Sequence, residues 1–351
     1  MTVYIEHNLR ATIDIRIDHL FVCIISVKTK YMSNKSFLEI INELKAQDYK
    51  ISMTEIERYG DFCPEDVDWN DKDVAHLNVV HTKVEGIQAV ISEKIMNSIY
   101  FQTLPYIGFK IPLIVNSYEY VRFNNIYFTN YGPFILVVNS ISELVSDNRT
   151  KNTVTFALAS KGFLKLFHSV IKKMLIKNNA QLMSEDMPMR ERRGVLRKNN
   201  HSFFSKTETY SYNNSTDIYR ANVLLKENVE SFISINKEQL INAEDETILG
   251  DKVGIYSFFI RIDKNKNKKL WPTTCVHEGA PLNKNCIEKD ILICPWHRRK
   301  NFPLLQIDSL NKIDFFKHID YAIKDDGKFI KIRFRNDPNY YDKKPYCFLE
   351  Y

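Results

Sequence analysis

The chain has 351 residues, enough for two domains, and 44% of them are hydrophobic, enough for a core in each. Six cysteines are too few for a disulfide scaffold of this size, so we expect a reducing, cytoplasmic location. The net charge of +6 comes from mixed charges and gives no indication of nucleic acid binding. The most apolar early stretch, Leu20 to Val27, is too short to cross a bilayer, so we expect no integral membrane segment.

The first segment with a chemical pattern reads N-x-x-D-x-x-H-x-x-x-x-H. Its pattern residues are Asn70, Asp73, His76 and His81. Two imidazoles are good ligands for Fe(II), and a distant carboxylate would complete a facial triad with open positions for O₂. Because residues five apart lie about 140° apart around a regular α-helix, we expect a π-type widening near Ala75 to Val80. The alternative interpretation is a pair of ordinary helix histidines.

Strands and then a long helix are predicted next along the chain. Segments rich in aromatic and β-branched residues, separated by Pro and Asn, are typical of antiparallel strands. These segments are Leu113–Val115, Tyr118–Phe123, Ile126–Thr129, Phe134–Val138 and Thr153–Ala159. Gly162 to Leu182 carries apolar residues at helical spacing. This helix runs towards Glu185 and Asp186, which are the two candidates for the distant carboxylate.

Residues 199 to 216 are polar and rich in Asn and Ser, which predicts a loop or linker. We therefore expect one domain over residues 1–215, a second over residues 226–336, and a polar tail over residues 337–351. Short strands such as Gly254–Ile262 and a late strand at Phe329–Phe334 are predicted in the second domain.

Two short motifs in the second domain carry metal-binding residues. They are Cys275-Val-His277 and Cys294-Pro-Trp-His297. A Rieske [2Fe–2S] centre needs two thiolates on one iron and two imidazoles on the other, an arrangement that raises its reduction potential. Two Cys and two His also satisfy tetrahedral Zn²⁺. Zinc fingers, however, place both cysteines in one knuckle and both histidines in the other, whereas each motif here holds one of each.

The surrounding letters, C-V-H-E-G-A-P-L and C-P-W-H, resemble the two cluster-binding loops of Rieske proteins. Respiratory Rieske proteins resemble one another in an extra cysteine within each loop, and Ala280 and Trp296 stand at those positions here. The resemblance therefore points to the lower-potential type found in oxygenases and soluble ferredoxins. One departure from the family is Arg298, since a glycine usually follows the last ligand.

Taken with the upstream motif, these loops resemble the Rieske non-heme iron oxygenases of the ring-hydroxylating and steroid-oxidising type. The resemblance implies that His76 and His81 bind the mononuclear iron and that Asp73 links this iron site to a cluster histidine. The third ligand in the family is an Asp on a late helix, which fits Asp186, with Glu185 as the competing candidate. Compared with the family, the order of the two domains is reversed.

The implied fold class is α+β, with a helix-grip catalytic domain, in which a long helix packs on an antiparallel sheet, and a small all-β Rieske domain. The implied activity is hydroxylation, dealkylation or desaturation of a small apolar substrate by O₂. The wording from Asp73 to His81 resembles the steroid-oxidising branch, which implies a steroid-like substrate. The cofactors would be a [2Fe–2S] cluster and mononuclear Fe(II). Electrons would come from a separate ferredoxin or reductase. The alternative function is a non-catalytic Rieske electron carrier whose N-terminal domain binds a ligand or partner.

Two further expectations concern surfaces. Basic residues flank the cluster loops and form either a docking patch for an acidic electron donor or a solvated face. They are Lys264, Lys266, Lys268, Lys269, Arg298, Arg299 and Lys300. The resemblance also implies a head-to-tail homotrimer, in which His277 or His297 would face Asp73 of the next subunit.

Overall fold

The computed structural model describes residues 35–73, 76–91, 95–103, 108–205, 222–226, 232–318 and 320–335. Its N-terminal part begins with α1 (Phe37–Ala46), β1 (Lys50–Gly60), α2 (Pro64–Lys72) and α3 (Leu77–Val80). Six strands follow: β2 (Val84–Ile91), β3 (Ile95–Thr103), β4 (Lys110–Val121), β5 (Asn124–Tyr131), β6 (Phe134–Ser146) and β7 (Arg149–Ser160). A 3₁₀ turn (Gly162–Phe167) then leads into the long helix α4 (His168–Lys198).

The seven strands form one antiparallel sheet in the order β1-β7-β6-β5-β4-β3-β2. On one face, Val154 and Phe156 of β7 pack in a buried cluster with Leu175 of α4. On the other face, Ile40 and Ile41 of α1 cover the sheet. Strand residues alternate between the two faces, so apolar side chains on both faces require cover on both sides. The predicted helix-grip architecture is confirmed.

Four of the five strand segments predicted in this part lie wholly in strands. The fifth, Tyr118–Phe123, shares β4 with Leu113–Val115 but ends in the turn that follows Val121. Strands β1, β2 and β3 were not predicted, because polar residues interrupt their apolar alternation. The helix predicted to end at Leu182 continues to Lys198 and has Pro188 in its interior. Glu185 and Asp186 therefore lie within the helix, on successive positions that face different directions.

The iron motif lies on a broken helix, and the predicted π-type widening is wrong for the residues that can be described. Helix α2 ends at Lys72, where Asp73 leaves helical geometry with φ −79° and ψ 79°. A single α-helical turn (Leu77–Val80) follows His76, and His81 is already extended, with φ −91° and ψ 133°. Residues 74–75 of the predicted widening lie outside the described residues. Because His81 is extended, the angle between the two rings is not fixed by the 100° rotation per residue of a continuous helix.

The C-terminal part consists of short strands. Its elements are β8 (His201–Ser205), β9 (Asn222–Lys226), β10 (Ile233–Asn236), α5 (Lys237–Asn242), β11 (Ile248–Gly250), β12 (Ser257–Ile262), β13 (Lys268–Pro272), a 3₁₀ turn (Lys284–Cys286), β14 (Ile287–Glu288), β15 (Ile291–Ile293), β16 (Lys300–Asn301), β17 (Leu305–Ile307), β18 (Ile313–Phe315), β19 (Tyr321–Asp326) and β20 (Phe329–Phe334). They form the sheets β11-β12-β13-β17-β18, β10-β20-β19, β14-β15-β16 and β8-β9. The small all-β domain predicted here is confirmed, and the overall class is α+β.

Part of the predicted linker is wrong, since residues 201–205 pair with residues 222–226 as an antiparallel hairpin. The rest of that segment, and the predicted tail at residues 337–351, lie outside the described residues. The described helices include none with the length and apolar content needed to cross a membrane.

The two parts of the chain pack directly on each other. Trp69 of α2 contacts Trp296 of the second cluster loop, with ring centroids 5.7 Å apart. From α4, the Arg192 guanidinium donates to the Gly279 carbonyl at 3.2 Å and to the Thr274 hydroxyl at 2.8 Å. Helices of the N-terminal part therefore hold the cluster loops of the C-terminal part.

Candidate metal centres

Each cluster loop is a tight turn at the end of a strand. In the first loop, the Gly279 N–H donates to the Cys275 carbonyl at 2.8 Å, and Gly279 has a φ of +91°. In the second loop, the Arg298 N–H donates to the Cys294 carbonyl at 2.9 Å, and Arg298 has a φ of +56°. This left-handed conformation favours glycine. The left-handed conformation explains why a glycine usually follows the last ligand of the second loop. Arg298 adopts this conformation here under strain.

The four cluster residues converge in the interior. Cys275, His277, Cys294 and His297 are all buried. The two imidazoles lie with ring centroids 5.0 Å apart and planes at 83°. Hydrogen bonding from the Cys294 thiol lowers the pKa of Cys275 to about 6, against the effect of burial, and the positive charge of Arg299 adds to the lowering. Burial and the same hydrogen bond raise the pKa of Cys294, so the two thiols hold their protons unequally.

His297 fits its predicted role in a further respect. Its Nε2 is 2.7 Å from Asp73 Oδ2, while its Nδ1 is buried and has no hydrogen-bond partner among the described residues. A metal-binding histidine normally uses one ring nitrogen for the metal and donates the other to a carboxylate. The donor set and this buried nitrogen therefore suit a [2Fe–2S] cluster.

The predicted basic docking patch needs correction. Arg299 is buried, and its guanidinium binds the Asp320 carboxylate at 2.9 and 3.1 Å. Lys268 donates to backbone carbonyls of Ile241 and Ala243. These two residues stabilise the domain from within, so neither can belong to a solvated patch.

The second predicted site is also assembled. His76 Nε2 and His81 Nε2 lie 3.0 Å apart. Asp186 Oδ1 is 3.3 Å from the first nitrogen and 3.2 Å from the second. All three side chains are buried, and their ligand atoms lie close enough together to hold one metal ion. Asn70, the first residue of the motif, donates to the same Asp186 oxygen at 3.4 Å.

Glu185, the competing candidate, lies on the outer side of His81. Its Oε2 is 2.7 Å from His81 Nδ1, the nitrogen that faces away from Asp186. Thr82 and Gln181 donate to its other oxygen at 3.2 Å each. This geometry favours Asp186 at the metal position, with Glu185 orienting a ligand ring from behind.

Asp73 joins the two groups of residues. Its Oδ2 lies 2.7 Å from His297 Nε2 and 3.3 Å from His76 Nδ1. Burial raises the pKa of Asp73, but the two histidines outweigh it and hold the pKa well below its usual range. Burial likewise lowers the pKa of His76, yet Asp186 and Asp73 raise it to about 10. The centre is thus rich in negative charge and favours a cation.

The contact between Asp73 and His297 is made within one chain. The resemblance predicted it between neighbouring subunits of a trimer, because in the resembling family the two centres of one chain are too far apart. That expectation is corrected: α2 packs on the second cluster loop through Trp69 and Trp296. A carboxylate bridge therefore needs no second subunit.

Glu278 was not predicted as part of the site. It is buried, and its Oε2 lies 3.2 Å from His297 Nε2. Burial and the charge of Asp73 raise its pKa to about 7. The available signal was an acidic residue beside a ligand histidine in the C-V-H-E-G loop.

A cavity of about 230 Å³ opens between the sheet and the helices, with the His76, His81 and Asp186 site in its wall. Apolar and polar side chains share the lining. The apolar ones include Leu77, Val84, Met96, Val115, Val138, Val154, Phe156, Leu182 and Met183; the polar ones include Ser98, Tyr100, Gln102, Tyr127, Ser140, Asn152, Asn179 and Arg190. A mixed pocket beside a candidate metal site is the usual setting for a small-molecule substrate.

Comparison with known proteins agrees with the cluster loops. The family model of the Rieske [2Fe-2S] domain matches residues 236–302, which include all four predicted cluster ligands. The chain contains a Rieske domain. The predicted recognition is thereby confirmed for the C-terminal part, together with a [2Fe–2S] cluster as its cofactor. A search of the curated proteins finds no match to the chain.

Several solved structures resemble part of this Rieske-domain protein at low similarity. A START superfamily protein from Mycobacterium smegmatis is 10% identical, with 40% of this chain and 98% of that chain covered and a TM-score of 0.34. The Zhui aromatase/cyclase from Streptomyces sp. R1128 is 10% identical, with 41% and 96% covered and a TM-score of 0.35. NdmA from Pseudomonas putida CBB5 is 15% identical, with 41% of each chain covered and a TM-score of 0.28. Because these similarities are low, the helix-grip assignment rests on the observed strand order of the seven-stranded sheet and the helix packed on it.

Proposed function

We propose that this protein is a Rieske non-heme iron oxygenase. In this proposal it uses O₂ and externally supplied electrons to oxidise a small organic substrate. The observation that carries the proposal is the Asp73 carboxylate, which contacts His297 of the Rieske domain and His76 of the candidate iron site. A plain electron carrier needs no such link to a second metal-binding group. In the proposed enzyme, the [2Fe–2S] cluster supplies electrons and the mononuclear iron activates O₂.

The protein's own residues orient both sites through hydrogen bonds. Oδ2 of Asp73 accepts from His297 Nε2, which fixes the tautomer of that ring, and lies 3.3 Å from His76 Nδ1. The remaining ring nitrogens, His297 Nδ1 and His76 Nε2, are then available as ligands. Glu185 sets the ring of His81 in the same way. We propose His76, His81 and Asp186 as the ligands of Fe(II).

The surroundings exclude water from this link. Asp73, His297 and His76 are each almost inaccessible to solvent. The neighbouring Trp69 and Trp296 belong to a continuous apolar cluster that includes Cys275 and Cys294. Because the link lies within one chain, we propose that each monomer contains a complete path from cluster to iron. The electron donor is a separate ferredoxin or reductase.

Metal analysis of the purified protein tests the proposal. The oxygenase holds three irons and two inorganic sulfides per chain, whereas an electron carrier holds two irons and two sulfides. His81→Ala should remove one iron and leave the Rieske electron paramagnetic resonance signal unchanged. His168→Gln is the matched control, because His168 is buried between Ser52 and Ser160, outside both centres. Two irons in the unaltered protein would leave the electron carrier as the better account.

A further inference from the structure

The cavity wall beside the candidate iron site carries an arginine. Arg190 of α4 is buried and lines the cavity. Its Nε donates to Asn70 Oδ1 at 2.7 Å, and its Nη2 donates to Asp71 Oδ1 at 2.9 Å. Its Nη1 is buried and finds no hydrogen-bond partner in the described part of the chain. A buried guanidinium with an unused donor is costly unless a ligand supplies an acceptor.

A second arginine contacts a residue of the cavity lining. Arg58 of β1 pairs in register with Asn152 of β7, and its Nη2 donates to Asn179 Oδ1 at 2.7 Å. Asn152 and Asn179 both line the cavity. Arg58 also has a buried Nη1 without a partner among the described residues. Burial, and after it the charge of Arg190, lowers the pKa of Arg58. Its hydrogen bond to Asn179 holds Arg58 against the cavity lining.

The charges at this end of the cavity do not balance. Asp71 is paired with Arg190 and also accepts from the Tyr127 hydroxyl at 2.9 Å. No carboxylate in the described ranges lies within ion-pairing distance of Arg58, whose one side-chain hydrogen bond goes to an amide. Of the two guanidinium groups, only that of Arg190 is paired with a carboxylate. The other carboxylates of the lining, Asp73 and Asp186, face the candidate iron ligands instead. The uncompensated positive charge favours an anion, and a carboxylate matches the fork of an arginine.

The size of the cavity limits the anion to a small molecule. A volume of about 230 Å³ is below the range of roughly 300–1,000 Å³ that is usual for drug-sized ligands. Valine, leucine and phenylalanine side chains line the remaining wall and suit a short apolar skeleton. The bulky steroid hinted at by the sequence fits neither this volume nor these charges.

We propose that the cavity binds a small organic carboxylate, whose anionic end lies at Arg190 and Arg58 and whose carbon skeleton extends towards His76, His81 and Asp186. The idea that this skeleton is then oxidised rests on the proposed function, whereas the binding itself does not. The two arginines act as residues that determine substrate specificity, because they select the charge of one end and thereby fix which carbon reaches the candidate iron site.

Calorimetric titration with matched pairs of small carboxylates and their amides tests this proposal. Butyrate, benzoate, phenylacetate and cinnamate are each compared with the neutral amide of the same skeleton. The full chain is used after the mononuclear iron has been removed with a chelator, so that a carboxylate cannot bind to the metal. We expect at least one carboxylate to bind ten or more times more tightly than its amide. Arg58→Gln and Arg190→Gln should each remove most of that preference.

Control variants separate the cavity from general electrostatics. Arg122→Gln removes one positive charge from an exposed position of the same domain and should leave the preference intact. Arg58→Gln keeps the test possible if Arg190→Gln fails to fold, because Arg58 is only half-buried and has no ion pair to lose. The proposal is overturned if no carboxylate binds more tightly than its amide. It is equally overturned if Arg58→Gln keeps the preference, or if Arg122→Gln removes it to the same extent.

The result of the carboxylate titration is independent of the number of irons found per chain. A chain with two irons that still prefers carboxylates would refute the oxygenase and leave the anion site in place. A chain with three irons and no carboxylate preference would refute the anion site alone.

Discussion

Replacement of Asp73 by asparagine tests the link between the two centres most directly. In the native chain one carboxylate oxygen accepts from His297 Nε2 and lies 3.3 Å from His76 Nδ1, and the other oxygen is buried with no hydrogen-bond partner among the described residues. The amide of Asp73→Asn has a single acceptor. If that oxygen faces the two rings, the NH₂ group becomes a buried donor without an acceptor; if the amide is flipped, its NH₂ opposes the N–H of His297.

The magnitude follows from these hydrogen bonds. A bond to a charged group contributes about 1.5–3 kcal/mol and a neutral one about 0.5–1.5 kcal/mol, so the bond from His297 loses about 1 kcal/mol. Loss of the negative charge beside His76 costs at least about 1 kcal/mol more. The stranded amide donor adds at least about 1 kcal/mol. The total of about 3 kcal/mol corresponds to roughly a 10²-fold change in any step that depends on the bridge.

The assay is stopped-flow absorbance of the Rieske cluster, reduced with dithionite and mixed with O₂ in the presence of each small carboxylate of the binding series. Asp73→Asn should slow cluster reoxidation by about 10²-fold, while the iron content and the cluster signal stay unchanged. Asp68→Asn is the control, because Asp68 lies on the same helix but binds Lys72 and Asn125 instead. An unchanged rate in Asp73→Asn would refute the bridge. A rate that rises with protein concentration would indicate a path between chains.

Three further outcomes are expected. Arg298→Gly should raise the free energy of unfolding by about 1 kcal/mol, because relief of the left-handed conformation exceeds the loss of the exposed ion pair with Glu288; a lower midpoint in thermal unfolding would contradict this. Asp66→Asn should lower the free energy of unfolding by about 3–5 kcal/mol, because the buried Arg193 loses its carboxylate partner. Denaturant titration measures this change, and a loss below about 1 kcal/mol would contradict the reasoning. Chelation should remove the iron of Asp186→Asn at a lower chelator concentration than that of the native chain, and equal resistance would argue against Asp186 as a ligand.

The Rieske centre could be predicted from the sequence because its chemistry is local. Each cluster loop brings one cysteine and one histidine together within three or four residues, so spacing alone restricts the geometry. The family match over residues 236–302 confirms that prediction. The sheet and long helix were likewise predicted from periodicity, which reflects burial of one face at a time. By contrast, β1 has charged residues along its exposed face and was missed.

Only the tertiary structure could decide which distant groups meet. Sequence left Glu185 and Asp186 as alternatives, and the choice depends on the rotation of α4 relative to His81. Sequence also placed Asp73 against a neighbouring subunit, whereas the packing of Trp69 on Trp296 brings it to His297 of its own chain. These contacts join residues more than 100 positions apart, and their distances depend on how helices and loops pack. Local residue patterns cannot specify such distances.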